Sequence, residues 1–155
     1  MKPVVVDRHL YGALIASLLA TACQRHPTPL SADQQRLIVD SVQTMLTGWR
    51  DALDARNFTL AAKYYSNDPA FRWFEDGELK YRSGREIGDA MTAMAPAYRE
   101  FTLSLIEPEI TALAPGIAAV TTNFAQKMTD TTGRTVGFAG ALSFTGCTVI
   151  QDGSF

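Results

Sequence analysis

The chain has 155 residues, 46% of them hydrophobic, and a formal charge of -2, which suits one domain with a real core and is too little for two. No run of lysine or arginine is present, so nucleic acid is excluded as a partner on electrostatic grounds. Two cysteines and two histidines, widely scattered, exclude the usual zinc constellations; no metal and no cofactor is expected.

Lys2 and Arg8 precede an uncharged run over residues 10–22, the layout of a secretory signal peptide and too short for a comfortable bilayer span. Export is therefore expected, with residues 1–22 as the signal. The run ends Leu19-Ala20-Thr21-Ala22-Cys23, which resembles a bacterial lipobox, whose cysteine becomes the lipidated first residue of the mature protein. Ala20 stands where that motif prefers leucine, and Asp7 interrupts the basic leader. The competing reading is an amphipathic or buried N-terminal helix with an incidental cysteine. With a lipid on Cys23 the membrane becomes a partner, and Gln24 in place of aspartate points to the periplasmic face of the outer membrane. Residues 23–31 contain His26, Pro27 and Pro29 and read as a short stiff tether, leaving 32–155 as the folded domain.

Ser31 with Gln34 offers a capping box, after which Leu37, Ile38, Val42, Met45, Leu46, Trp49 and Leu53 recur at helical spacing. Asn57 reads as the stop of this helix and Thr59 as the N-cap of a short second one carrying Leu60, Ala61, Tyr64 and Tyr65. Asn67-Asp68-Pro69 breaks it. Residues 70–75 alternate like a strand, and Asp76-Gly77 makes a two-residue hairpin turn, since both positions tolerate positive φ. Ser83 and Glu86 form a second capping box for a helix bearing Ile87, Met91, Met94 and Tyr98, which Pro96 ends or kinks. Residues 100–113 read as one long strand bent at Pro108, Ala114-Pro115-Gly116 turns it, and residues 117–129 and 135–151 are further strands of a strongly curved antiparallel sheet. Asp152-Gly153 opens one more turn before Phe155.

Three helices around a first hairpin, followed by a meander of long strands, give the order of a cone-shaped α+β fold. From about residue 39 onward the chain resembles the nuclear transport factor 2-like superfamily, within it the SnoaL-like and ketosteroid-isomerase-like branch. The residues that carry the resemblance are Asp54-Ala55-Arg56-Asn57, Tyr65-Ser66-Asn67-Asp68, Arg82-Ser83-Gly84 and Gly116-Ile117-Ala118-Ala119-Val120. The resemblance implies helices packed on a curved sheet around a mostly apolar cavity. It also implies a closing strand after the Asp152-Gly153 turn, which this chain lacks, so an unpaired sheet edge is expected.

Laid on the ketosteroid isomerase pattern, the general-base aspartate falls on Trp73 and the tyrosine acid of the first helix on Trp49. An indole accepts no proton and donates a single N–H. No Asp or Glu occurs from 135 to 151 and no histidine follows His26, so the isomerase and scytalone-dehydratase chemistries lack their groups. Glu75 is the weak remaining candidate for an acid or base of the SnoaL kind, against a plain reading as a solvated strand end. The resemblance and these residues together predict a domain that binds a small apolar or aromatic molecule without catalysis. Its site comprises Trp49, Tyr65, Phe71 and Trp73, with Asn123 or Gln126 supplying orientation from a central strand. The alternatives are an enzyme of the SnoaL-like kind, a cone simply filled by these large rings, and an accessory scaffold that forms a homodimer.

Overall fold

The computed structural model describes residues 29–147; the signal segment, Cys23, most of the tether and the Asp152-Gly153 turn lie outside them. The first helix, α1 (Ala32–Asp54), opens on the expected capping box. The Ser31 hydroxyl accepts from the Gln34 N–H, and the Gln34 side chain accepts from the Ser31 N–H, satisfying two donors that a helix start leaves orphaned. Ile38, Val42, Leu46 and Leu53 form its buried stripe. The helix stops at Asp54 because Arg56 turns into the left-handed region, φ 56, from where its guanidinium donates to the Ala95 carbonyl. Asp54 reaches across to the sheet and accepts from the Leu103 N–H at 2.7 Å.

Asn57 does more than stop α1. Its side chain accepts from the Leu60 N–H and caps α2 (Phe58–Ala61), so Thr59, expected as the cap, falls inside the helix. A cap must reach the N–H three residues on, and Asn57 already occupies that position with the better acceptor. A 3-10 turn (Ala62–Tyr64) completes this helical segment.

The hairpin of β1 (Trp73–Glu75) and β2 (Glu78–Tyr81) turns at Asp76 and Gly77, with φ 51 and 80, the paired positive values of a type I′ turn. Strand β1 is shorter than the alternation from residue 70 suggests. Asp68 explains the loss: its carboxylate accepts from the Ala70 N–H and its carbonyl from the Phe71 N–H, while Arg72 folds back on the Pro69 and Phe71 carbonyls. The backbone is thus committed to a turn before pairing can begin. Helix α3 (Gly84–Met94) carries half of its expected box. Ser83 accepts from the Glu86 N–H, but Glu86 reaches past it to the Arg82 N–H. Pro96 sits in a 3-10 turn (Ala95–Ala97) that ends the helix, as a residue without an N–H donor should.

Strands β3 (Tyr98–Ala114), β4 (Ile117–Asp130) and β5 (Thr135–Cys147) form an antiparallel sheet in that order, and among the described residues the hairpin is a separate sheet of two strands. Strand β3 passes through Pro108 by a bulge: its register slips between Ile106 and Glu109, and Glu107 takes φ 50. Asp130 closes the β4–β5 connection, its carboxylate accepting from the Thr132 and Arg134 N–H groups and the Thr132 hydroxyl. Alternation then divides the sheet, broken where Thr129 is buried next to Met128. Phe101, Leu103, Ala118, Val120, Thr122 and Met128 are buried toward the helices, whereas Thr102, Ser104, Thr121, Asn123 and Ala125 are exposed on the outer face.

The core has two parts. One joins Ala52, Leu53, Phe58 and Ala61 to Phe101, Leu103 and Met128; the other joins Ile38, Val42 and Leu46 to Ala118 and Val120. Trp49 packs against both, which puts the first of the expected site residues at the joint between them.

Candidate functional site: an aromatic cluster between the first helix and the hairpin

Three rings from three elements meet. The Trp49 indole N–H donates to the Tyr65 hydroxyl at 3.1 Å, with ring centroids 6.1 Å apart at 85°. Tyr65 and Trp73 meet at 5.5 Å and 78°. Both contacts are edge-to-face, the arrangement that sets a positive ring edge on a negative face. The Trp73 N–H donates to Glu75 at 2.9 Å, because residues two apart on a strand share a face. All three rings are half-buried, and Glu75 is exposed.

Tyr65 is the ring that links the indoles, and its position is fixed by its neighbours in sequence. Its extended backbone (φ -98, ψ 138) ends the 3-10 turn. The Ser66 carbonyl then accepts from the Gly84 N–H at 2.7 Å, and Asn67 accepts from the Arg85 N–H at 2.9 Å. Helix α3 comes so close that a Cβ on Gly84 would run into the Tyr65 carbonyl. The stretches Tyr65-Ser66-Asn67-Asp68 and Arg82-Ser83-Gly84 are thus two sides of one clasp, and the clasp holds the linking ring.

The environment keeps Tyr65 neutral. Burial pushes its phenol well above the usual tyrosine range; the Trp49 N–H opposes this, and the Glu75 charge and Tyr81 add to it. Tyr81 therefore belongs to the site, although the sequence reading left it out. The turn alone did not signal it: regular pairing outward from Asp76-Gly77 would set Lys80 opposite Trp73, and a register slip between Trp73 and Phe74 brings Tyr81 there instead.

The other expected residues are dispersed. Phe71 is half-buried in the turn before β1 and takes no part in the ring contacts. Gln126 is half-buried on the inner sheet face, where its amide donates to the Met128 sulfur at 3.3 Å. Asn123 lies on the opposite, exposed face, opposite Ile106 and Ala141, so it cannot orient a molecule held by the rings. Asn123 and Gln126 are three positions apart, and an odd offset on a strand means opposite faces. Cys23 lies outside the described residues.

Among the described residues the buried polar side chains are Thr122 and Thr129, and no group of His, Cys, Asp or Glu is placed to hold a metal ion. Two surface depressions lie away from the rings. One, of about 580 Å³, runs between α2 and α3 past Lys63, Asn67, Arg85 and Asp89. The other, of about 500 Å³, follows the β3 bulge on the outer sheet face past Glu107, Glu109 and Asn123. Neither is lined by an indole, and the three rings stay half-buried against one another.

The architecture defines an α+β cone, with helices packed on a curved antiparallel sheet that is open on one side. Its fold is that of the nuclear transport factor 2-like superfamily. A nuclear transport factor 2-like protein from Salmonella enterica superposes with a TM-score of 0.62 at 15% identity, over 74% of this chain and 82% of that one. A candidate scytalone dehydratase from Novosphingobium aromaticivorans gives 0.68 at 12%, over 77% and 80%. A hexachlorocyclohexane dehydrochlorinase gives 0.60 at 14%, over 74% and 78%. At these identities the likeness establishes the fold alone. No family model and no curated protein matches the chain.

Proposed function

We propose that the domain binds a small apolar or aromatic molecule against the outward sides of Trp49, Tyr65 and Trp73, without carrying out chemistry on it. The observation that carries this reading is the convergence of two indoles on one phenol, each ring half-buried and each indole N–H already engaged. Aromatic faces with few polar groups are what flat apolar ligands require. Neighbours in the fold named for dehydration and dehydrochlorination keep an enzymatic role as the competing reading, and Glu75 is its candidate acid. Calorimetric titration with naphthalene-sized aromatics, alongside product analysis, separates the two. Saturable uptake with unchanged ligand supports binding, whereas turnover abolished by Glu75→Gln overturns it.

Export and lipid anchoring through Cys23 complete the proposal. Cys23→Ser should release the protein from membranes, and continued retention would count against lipidation. A second reading, a homodimerising module, draws support from the outer sheet face, where Ile106 and Leu113 stand 45% and 54% exposed among small residues. Light scattering tests it, with a clean monomer as the contrary result.

A further inference from the structure

The depression of about 580 Å³ between α2 and α3 shares no residue with the ring cluster, and its size falls within the roughly 300–1,000 Å³ of small-molecule sites. Its floor is small and apolar. Gly84, Gly88 and Ala62 line it, and the two helical segments approach so closely that a Cβ on Gly88 would stand 2.9 Å from the Ala62 methyl. The start of α3 has no backbone donor left to offer. The N–H groups of Gly84, Arg85, Glu86 and Ile87 are accepted by the Ser66 carbonyl, the Asn67 side chain, the Ser83 hydroxyl and the Ser83 carbonyl. Whatever this depression holds is therefore recognised by side chains.

Those side chains are donors at one end and an acceptor farther along. The Asn67 oxygen is taken by the Arg85 N–H and the Ser83 oxygen by the Glu86 N–H, which leaves the Asn67 amide hydrogens and the Ser83 hydroxyl proton to be given. Lys63 and Arg85 line the same end, both exposed, and among the described residues neither stands in an ion pair. Two cations and two neutral donors suit a phosphate, which accepts from several donors at once. Asp89 is the one acid of the lining, four residues beyond Arg85 on α3. Its carboxylate would repel a bare anion, yet it accepts readily from a hydroxyl.

We infer that this depression is a second site, which takes a polyol phosphate, the phosphate held among Lys63, Arg85, Asn67 and Ser83 and a ligand hydroxyl donating to Asp89. Calorimetry on the protein compares glycerol 3-phosphate, inorganic phosphate and glycerol. Glycerol 3-phosphate should bind saturably and about fivefold tighter than inorganic phosphate, the worth of one net hydrogen bond, and glycerol should give no heat of binding. Lys63→Gln and Arg85→Gln should each weaken glycerol 3-phosphate about tenfold or more. Arg85→Gln keeps the backbone N–H that holds Asn67, and either variant serves should the other fail to fold. Asp89→Ala should tighten inorganic phosphate and erase the preference, whereas Arg99→Gln, on β3 beside Glu100 and outside the depression, should change nothing. Vesicles of phosphatidylglycerol that displace glycerol 3-phosphate, where phosphatidylcholine vesicles do not, identify the source as a lipid headgroup; displacement by neither identifies a free metabolite, and both results uphold the site. Displacement by both kinds of vesicle overturns the inference. So does the lack of saturable binding, inorganic phosphate binding as tightly as glycerol 3-phosphate, or Arg99→Gln weakening the ligand as much as Lys63→Gln. None of these results bears on the rings.

Discussion

Gly84→Ala probes the clasp that holds Tyr65. The new Cβ would lie 2.8 Å from the Tyr65 carbonyl carbon and closer still to its oxygen, with the Tyr65 Cβ at 2.9 Å. These are backbone or near-backbone atoms and cannot swing aside, so the segment from Tyr65 to Asn67 or the start of α3 has to move. Overpacking of this kind costs about 1–3 kcal/mol. Alanine would regain up to about 1 kcal/mol of helix propensity in a helix interior, but Gly84 is the first residue of α3 and collects only part of it. The net expectation is destabilisation by about 1–2 kcal/mol, or a fall in Tm of roughly 2–8 °C for a chain of this size. Urea unfolding followed by circular dichroism measures the first quantity. Tryptophan emission measures the second consequence, a changed environment for the two indoles as Tyr65 shifts. Gly137→Ala is the control, because its Cβ would stand in ordinary contact, 3.7 Å from its nearest neighbour, the Gln126 carbonyl oxygen. If Gly84→Ala stays within about 0.5 kcal/mol of the unaltered protein, with unchanged emission, the clasp does not position Tyr65.

Three further outcomes are expected. Asp54→Ala removes the acceptor of the Leu103 N–H and should cost about 1–3 kcal/mol in denaturant unfolding, whereas Asp54→Asn, which keeps an oxygen, should cost less. Tyr65 is held protonated in the folded state, so its contribution to stability is full below the unfolded tyrosine range and is lost as pH rises through and beyond about 10. Phenolate difference absorbance should accordingly show Tyr65 ionising only with alkaline unfolding. Asp130 titrates below the usual carboxylate range, chiefly through the Thr132 hydroxyl and then the backbone N–H groups of the loop. Its contribution is present above that range and lost as pH falls through it, and the acid limb of the melting profile should be shallower in Asp130→Asn.

What is local in this chain was readable in advance. The Ser31 cap, the Asp76-Gly77 turn, the stop at Pro96 and the bend at Pro108 each depend on residues a few positions apart, and each stands where its side-chain chemistry places it. Meeting of Trp49 and Trp73 came from the resemblance, and their separation by Tyr65 did not. That arrangement depends on how far α3 can sink against residue 65, a tertiary distance that Gly84 sets. Asn57 was misjudged in part because two neighbouring residues competed for one cap, and geometry rather than propensity chose between them. Asn123 was misplaced for a simpler reason: strand parity was legible and was not applied across the three-residue interval.

Strand β5 runs from Thr135 to Cys147 without a charged residue, a proline or a register slip against β4. Among the described residues it pairs on one side only, and within the strand there is no charge, proline or bulge of the kind by which exposed edges discourage chance pairing. Solubility of the purified domain should therefore fall steeply with concentration. A lysine at Ala141, exposed on the outer face, should raise that ceiling while leaving the rings untouched.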